Sequence, residues 1–288
     1  MSKITSRIHK TKAMAGKKFA LVIHGGAGTI SPEKMTPKIE RDLRMGLQRS
    51  LDAGRAILKN GGSSLDAVTA AVRVLEDDPL FNAGRGAVFT SAGTHEMDAA
   101  IMDGRTLKAG AVGAVAHVRN PIDLARAVME KSPHVMLAGD GAKDFARELG
   151  LEIVDDKYFS TEQRRQALEH VRAARTEGLS DADRHGTVGA VALDESGNLA
   201  AATSTGGNTN KRPGRVGDSP IIGAGTYANN KTCCLRDRRR RIFHAHRRRP
   251  RSFGIDGVLR HESRRRCSRS ARQSGGTRWD RRTHRGGS

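Results

Sequence analysis

The sequence predicts a layered α+β domain followed by a segment of different character. Three observations carry that expectation. Helical patterns fall in groups between groups of strand patterns, without strict βαβ alternation. A continuous apolar run, Phe19 to Ile23, stops at the glycine-rich His24-Gly-Gly-Ala-Gly28, as a buried strand entering a tight turn does. A second strand pair, Thr187 to Leu193 and Leu199 to Thr205, is joined by the turn sequence Asp194-Glu-Ser-Gly-Asn198.

The elements between these strands follow from spacing and punctuation. Residues 38–60 place Leu43, Leu47, Leu51 and Leu58 among charges at helical intervals, and Gly61-Gly62 closes the pattern. Ser64 is the expected cap of a second helix running through Leu65, Val68, Val72 and Leu75. Residues 80–118 are rich in Gly, Ala and Val and read as short strands with turns, including Gly86–Thr90 and Ala109–Val118. Pro121 to Lys131 and Ala142 to Leu149 read as helices, and the charged Thr161 to Thr176 as an exposed helix. A polar linker, Glu177–His185, leads into Thr187.

The 288 residues carry a formal charge of +20, but the charge is not spread evenly. Residues 236–288 contain nineteen Arg, no Lys and four acids, which leaves only +5 for residues 1–235. An arginine-rich tail with few apolar residues cannot bury enough surface to offset chain entropy, and the expectation is a largely disordered segment. Such a tail would bind nucleic acid nonspecifically; its aromatics, Phe243, Phe253 and Trp279, are too few for a stacking surface. Cys233, Cys234 and Cys267 have no CxxC spacing, so neither a zinc site nor a disulfide framework is expected. No apolar run reaches the ~20 residues of a membrane span. The basic N-terminal stretch is followed by too short an apolar run for a secretion signal, so a cytoplasmic protein is expected.

One position stands out chemically. A threonine hydroxyl is a poor nucleophile without an adjacent base, and a threonine freed to become a chain terminus can use its own α-amine. His185-Gly-Thr-Val-Gly189 offers that arrangement: a polar linker, a glycine that admits strain and close approach, then a strand opening at Thr187.

The segments around that position carry a resemblance. His24-Gly-Gly-Ala-Gly28, Leu80-Phe-Asn-Ala-Gly84, Met97-Asp-Ala, Met102-Asp-Gly104, Gly186-Thr-Val-Gly-Ala-Val-Ala-Leu-Asp194, Thr203-Ser-Thr-Gly-Gly207 and Pro213-Gly-Arg-Val-Gly-Asp-Ser-Pro220 occur in order. Over residues 19–233 the chain resembles the plant-type asparaginase (isoaspartyl peptidase) family of N-terminal nucleophile hydrolases. The resemblance implies an αββα four-layer sandwich. It implies an N-terminal extension (1–18), an α-subunit-like part (19–186), the start of a β-subunit-like part (187–235) and the tail (236–288). It implies an amidohydrolase that releases L-aspartate from L-asparagine or β-aspartyl peptides after self-cleavage between Gly186 and Thr187. Thr187 would be the nucleophile, with Thr205 bonding near it and Asn82 orienting it or polarising the reacting group. Arg215 would pair with the α-carboxylate of a small-molecule or dipeptide substrate and Asp218 with its α-ammonium, and Gly26 would let backbone approach the site. No organic cofactor is implied. A structural sodium ion is, held mostly by backbone in a loop containing Leu75, Glu76, Asp78, Phe81, Ala83 and Arg85; relatives usually carry an apolar residue where Arg85 stands. The family's usual assembly is a homodimer of processed units.

The resemblance stops near Cys233. Relatives follow Tyr227-Ala-Asn-Asn230 with a segment reading roughly Cys-Ala-Val-Ser-Ala-Thr-Gly-Glu-Gly-Glu, whose Thr-Gly helps form an oxyanion hole; this chain reads Cys233-Cys-Leu-Arg-Asp-Arg-Arg-Arg-Arg241. Residues 233–241 can be encoded so that the frame one base later reads Ala-Val-Ser-Ala-Thr-Gly-Glu-Gly. The arginine codons allow much freedom, but both codons of Asp237 restrict the shifted residue to Thr or Ile. A shift of frame close to Cys233 accounts for the change, and the tail that follows would then be non-native. The expected consequence is an inherited but incomplete active site, or a folded pseudoenzyme.

Overall fold

In the computed structural model the described residues are 19–26, 35–176, 186–237 and 241–246, all within one compact unit. The expected linker at 177–185 and the segment 247–288 lie outside them. Among the described residues, no helix is long and apolar enough to cross a membrane.

The expected mixed α+β architecture is present. A six-stranded sheet is built from β1 (Ala20–His24), β2 (Met97–Asp103), β3 (Ala109–Val115), β4 (Met136–Ala138), β5 (Val188–Leu193) and β6 (Leu199–Thr205), in the order β1-β5-β6-β2-β3-β4. A three-stranded antiparallel sheet follows, with β7 (Thr226–Asn229), β8 (Thr232–Asp237) and β9 (Arg241–His246) in that order. Helices α1 (Pro37–Lys59), α2 (Ser64–Asp77) and α3 (Pro121–Lys131) accompany the large sheet, and α4 (Gly139–Glu148) and α5 (Glu162–Thr176) complete the element list.

Side-chain bonds along β6 show which layer lies on which face. Successive strand residues point to opposite faces. Ser204 donates to the Glu76 carboxylate of α2 at 2.6 Å, whereas its neighbour Thr203 bonds Thr226 of β7 at 2.5 Å. Helices therefore cover one face of β6 and the small sheet covers the other. The described residues thus form an α-β-β arrangement, consistent with three layers of the αββα sandwich. The core between α2, α3 and the sheet is built from small and branched side chains, among them Ala67, Val68, Ala71, Val72, Ile101, Ile122 and Val188. Alanines on β5 and β6 let α2 approach closely.

Local differences from the sequence reading have identifiable causes. Ser63 rather than Ser64 caps α2, accepting the Asp66 N–H at 3.1 Å, while the Ser64 N–H is taken by the buried Asp194 at 3.0 Å. Gly86–Thr90 is not a strand. Gly84–Gly86 forms a 3-10 turn, and the only ladder-type contact there is an isolated bridge from Thr90 to Lys211. The helix at Thr161–Thr176 is not wholly exposed, because Arg164, Leu168 and Val171 are buried on one side. Where composition offered only an arginine-rich tail, Arg241–His246 pairs with β8 along its length. Ladder hydrogen bonds involve backbone groups that every one of these residues possesses, and composition does not report them.

Candidate active site

The register of the large sheet builds the site. β1 pairs with β5 so that His24 lies opposite Gly189, and β5 pairs with β6 so that Val188 lies opposite Ser204. One residue further out, Thr187 and Thr205 therefore come opposite each other at the strand ends, on the face that carries the small sheet. Both are buried. Gly26, which follows β1 with a φ of +109°, places the spot its missing Cβ would occupy 3.1 Å from the Gly186 carbonyl oxygen. The Gly186–Thr187 peptide is thus backed directly by Gly26, at a backbone conformation that L side chains rarely adopt. Gly26→Ala is expected to strain this contact by about 1–3 kcal/mol. The melting temperature of the Gly26→Ala chain, compared with that of the parent, checks this cost.

The Thr187 hydroxyl bonds the Ser219 hydroxyl at 3.0 Å in a buried contact. Ser219 is itself fixed: its carbonyl lies 3.0 Å from the hydroxyls of both Thr203 and Thr226, one of which donates to it while the other donates across the pair. Thr205 takes a different partner, accepting the Gly207 N–H at 3.0 Å. Asn82 holds the same turn, donating to the Gly207 carbonyl at 2.9 Å and accepting the Val88 N–H at 3.1 Å. Thr205 and Asn82 together shape the Gly206-Gly207 turn.

That turn borders the half-buried Arg215. Arg215 Nη1 lies 2.8 Å from the spot a Cβ on Gly207 would occupy and 3.2 Å from the one on Gly217. A side chain at either glycine would meet the guanidinium. Asp218 follows three residues after Arg215 and directly precedes Ser219, so the loop bearing the two charges is tied to Thr187 through the serine hydroxyl. Lys211 is buried beside them and donates to the Glu96 carbonyl at 2.7 Å. Burial lowers its pKa, Asp98 and Glu96 act the other way, and Arg215 reinforces the lowering.

The loop expected to hold sodium runs from the end of α2 to the 3-10 turn. Cβ atoms on Gly84 and Gly86 would collide with the carbonyl oxygens of Glu76, Pro79 and Phe81, so backbone oxygens gather around the two glycines. Among the described residues no cluster of three His, Cys, Asp or Glu could hold a metal. Backbone carbonyls are the oxygen donors at this turn, and oxygen ligands suit a hard cation. The Arg85 side chain is turned out of the loop, over the Tyr158 ring at 5.6 Å. The Glu76 side chain also leaves the loop. Its carboxylate accepts Ser204 Oγ at 2.6 Å and the Ile122 N–H at 3.0 Å.

Glu76 is fully buried, and burial raises its pKa well above the ordinary 4.5 against the opposing pull of its Ser204 and Ile122 hydrogen bonds. A carboxyl with a raised folded-state pKa binds more protons folded than unfolded, so its effect is to lower stability as pH rises from the unfolded value through the folded one. Glu76→Gln keeps the acceptor and removes the ionisation. Its melting temperature is expected to fall less than the parent's between about pH 5 and pH 8. Glu76→Ala, leaving Ser204 and Ile122 unsatisfied, should cost about 1–3 kcal/mol near pH 5 and less as pH rises, because ionising the buried carboxyl destabilises only the parent; melting curves across the pH series check both.

The chain matches a family model described as Asparaginase over residues 17–235. It belongs to the asparaginase family. Within that family, it is 55% identical over 228 residues to the isoaspartyl peptidase of Escherichia coli (strain K12), covering 76% of this chain and 70% of the relative. It is 50% identical over 214 residues to the isoaspartyl peptidase/L-asparaginase of Mus musculus, covering 74% and 64%. The human isoaspartyl peptidase/L-asparaginase is 49% identical over 212 residues, covering 73% and 67%. Family membership makes this chain an amidohydrolase by class. Ser219, Glu96 and Asp98 were not singled out by the sequence reading, although Met97-Asp-Ala and the Asp-Ser-Pro of Pro213–Pro220 contained two of them.

Proposed function

We propose that this asparaginase-family chain derives from an enzyme that releases L-aspartate from L-asparagine and β-aspartyl peptides, with Thr187 as the nucleophile. The observation that carries the reading is the buried Thr187 hydroxyl, which stands directly after Gly186, against Gly26, and bonded to Ser219. The relatives' names, isoaspartyl peptidase and L-asparaginase, supply the substrate class.

The first step is the chain's own cleavage. Thr187 Oγ1 attacks the Gly186 carbonyl carbon, the C–N bond breaks, and the hydroxyl proton ends on the released α-nitrogen. Water then hydrolyses the ester and leaves a free α-amine at Thr187. That amine takes the hydroxyl proton in each later turnover. The side-chain carbonyl of the substrate is attacked, ammonia or the peptide amine departs, and water releases aspartate from the acyl-enzyme. Arg215 pairs with the substrate α-carboxylate through two parallel bonds and Asp218 with its α-ammonium. Thr205 and Asn82 keep the Gly206-Gly207 turn in place beside the guanidinium. A sodium ion, when bound by the backbone carbonyls around Gly84 and Gly86, supplies rigidity to the loop that carries Asn82. We place the enzyme in the cytoplasm and its processed form in a homodimer.

This chain departs from its relatives after Cys233. In place of the relatives' Ala-Val-Ser-Ala-Thr-Gly stand Cys234-Leu-Arg-Asp-Arg-Arg239, and the family match ends at residue 235. Loss of an oxyanion donor costs about 10²–10³ in turnover. We therefore infer a shift of frame near Cys233 and an inherited site with little activity. Prolonged incubation of the purified chain, with fragments identified by N-terminal sequencing and aspartate release followed from a β-aspartyl dipeptide, tests the reading. The small amount of fragment that accumulates should begin at Thr187. Cleavage at any other bond would remove Thr187 from the mechanism.

A further inference from the structure

The Arg215–Asp218 pair sits on an irregular stretch between β6 and β7, yet a clamp for a zwitterion must hold two opposite charges at fixed spacing. Two acidic residues at the start of β2 take up the backbone on both sides of Arg215. Glu96 Oε2 accepts the Gly214 N–H at 2.7 Å, and Asp98 Oδ2 accepts the Gly217 N–H at 2.9 Å. The Glu96 carbonyl also receives Lys211 Nζ at 2.7 Å, where the loop begins. The other Asp98 oxygen accepts the N–H of Ala114 on β3 at 2.9 Å, at a residue with a φ of +49°. Asp98 is fully buried. Its two oxygens tie the clamp loop to a neighbouring strand inside the sheet, and Gly217 is the residue over which the Arg215 guanidinium folds.

We propose that Asp98, assisted by Glu96, is a positioning residue for substrate recognition: it holds the Gly214–Gly217 backbone so that Arg215 and Asp218 grip a free α-amino acid end together. The inference rests on the clamp reading given above. A carboxylate suits the task because both its oxygens accept. An amide at position 98 could accept one N–H but would turn its own NH2 towards the other, leaving Ala114 or Gly217 unpaired.

Binding separates this role from plain scaffolding and does not depend on turnover. The full chain is titrated with L-aspartate by calorimetry, with melting temperature recorded for each variant. Asp98→Asn is expected to weaken L-aspartate binding about tenfold or more, roughly 1.4 kcal/mol. In an Arg215→Ala background the same substitution should weaken it less than about twofold, because effects that act through one group are not additive. Glu96→Ala should weaken binding about threefold and Glu96→Gln should restore it, since the amide oxygen can still accept the Gly214 N–H. Unchanged affinity in Asp98→Asn, or equal additional losses in both backgrounds, overturns the inference and leaves the clamp standing. If Asp98→Asn does not fold, equal affinities for the Glu96→Ala and Glu96→Gln chains overturn it instead. A parent chain that binds no L-aspartate, or an Arg215→Ala chain that binds it as well as the parent, removes the clamp and the inference with it.

Discussion

A chain that keeps Cys233 and whose residues from 234 onward are replaced by the shifted-frame sequence beginning Ala-Val-Ser-Ala-Thr-Gly-Glu-Gly is expected to split before Thr187. It should then hydrolyse β-aspartyl dipeptides at least 10²–10³ times faster than the parent, the size of effect associated with one oxyanion donor. The physical argument starts from β8. Leu235 is buried beneath Gly189 of β5, 3.0 Å from the spot a Cβ there would occupy, so this strand lies directly over the sheet that carries Thr187. On the proposed mechanism the relatives' Thr-Gly, just beyond this strand, would supply donors to the developing oxyanion; Arg238 and Arg239 stand there instead. The gain should appear in turnover more than in binding, because an oxyanion hole acts on the transition state. An equal rate from both chains would mean that the segment after Cys233 does not contribute to catalysis.

In that frame-restored chain, Thr187→Ala is expected to give a single uncleaved polypeptide with activity reduced by roughly 10⁴–10⁶-fold, as when the attacking group of a hydrolase is removed. Two functions are lost together: the hydroxyl that opens the Gly186–Thr187 bond and the terminal amine that cleavage creates. Thr187→Ser keeps a hydroxyl of the same reach and should recover part of the cleavage, though without the β-methyl that restricts rotation about χ1. Stability should change by only about 1 kcal/mol, since the lost contact is a single neutral hydrogen bond to Ser219. Gel analysis for two fragments, together with aspartate release, separates the two variants. Full activity in Thr187→Ala would transfer the nucleophile's role elsewhere.

Much of this arrangement was legible before any coordinates. The apolar run ending at His24-Gly-Gly, the hairpin from Thr187 to Thr205 and the helices at 38–60 and 121–131 all announce themselves through periodicity and turn residues. Each is a local signal, and β1, β5, β6, α1 and α3 lie where those signals place them. The Gly-Thr before a strand raised Thr187 as the proposed nucleophile, and the motif resemblance supplied Arg215, Asp218 and Asn82 as the proposed residues around it.

Local pattern could not show where side chains separated by many positions would meet. Ser219 lies 32 residues from Thr187, and nothing in a Gly-Asp-Ser-Pro turn says that its hydroxyl faces one particular threonine. Asp98 reaches Gly217 across 119 positions only because β2 is hydrogen-bonded beside β6, where Asp98 lies opposite Thr205. Glu76 reads as an ordinary helix carboxylate, and its raised pKa comes from burial against β6 and the start of α3. The sequence by itself determined β1, β5, β6 and the main helices, the candidate nucleophile and the break in character near Cys233, because these depend on neighbours along the chain. The tertiary structure alone decided the partners of Thr187, Asn82 and the clamp loop, because sheet order and register bring together groups that no local pattern connects.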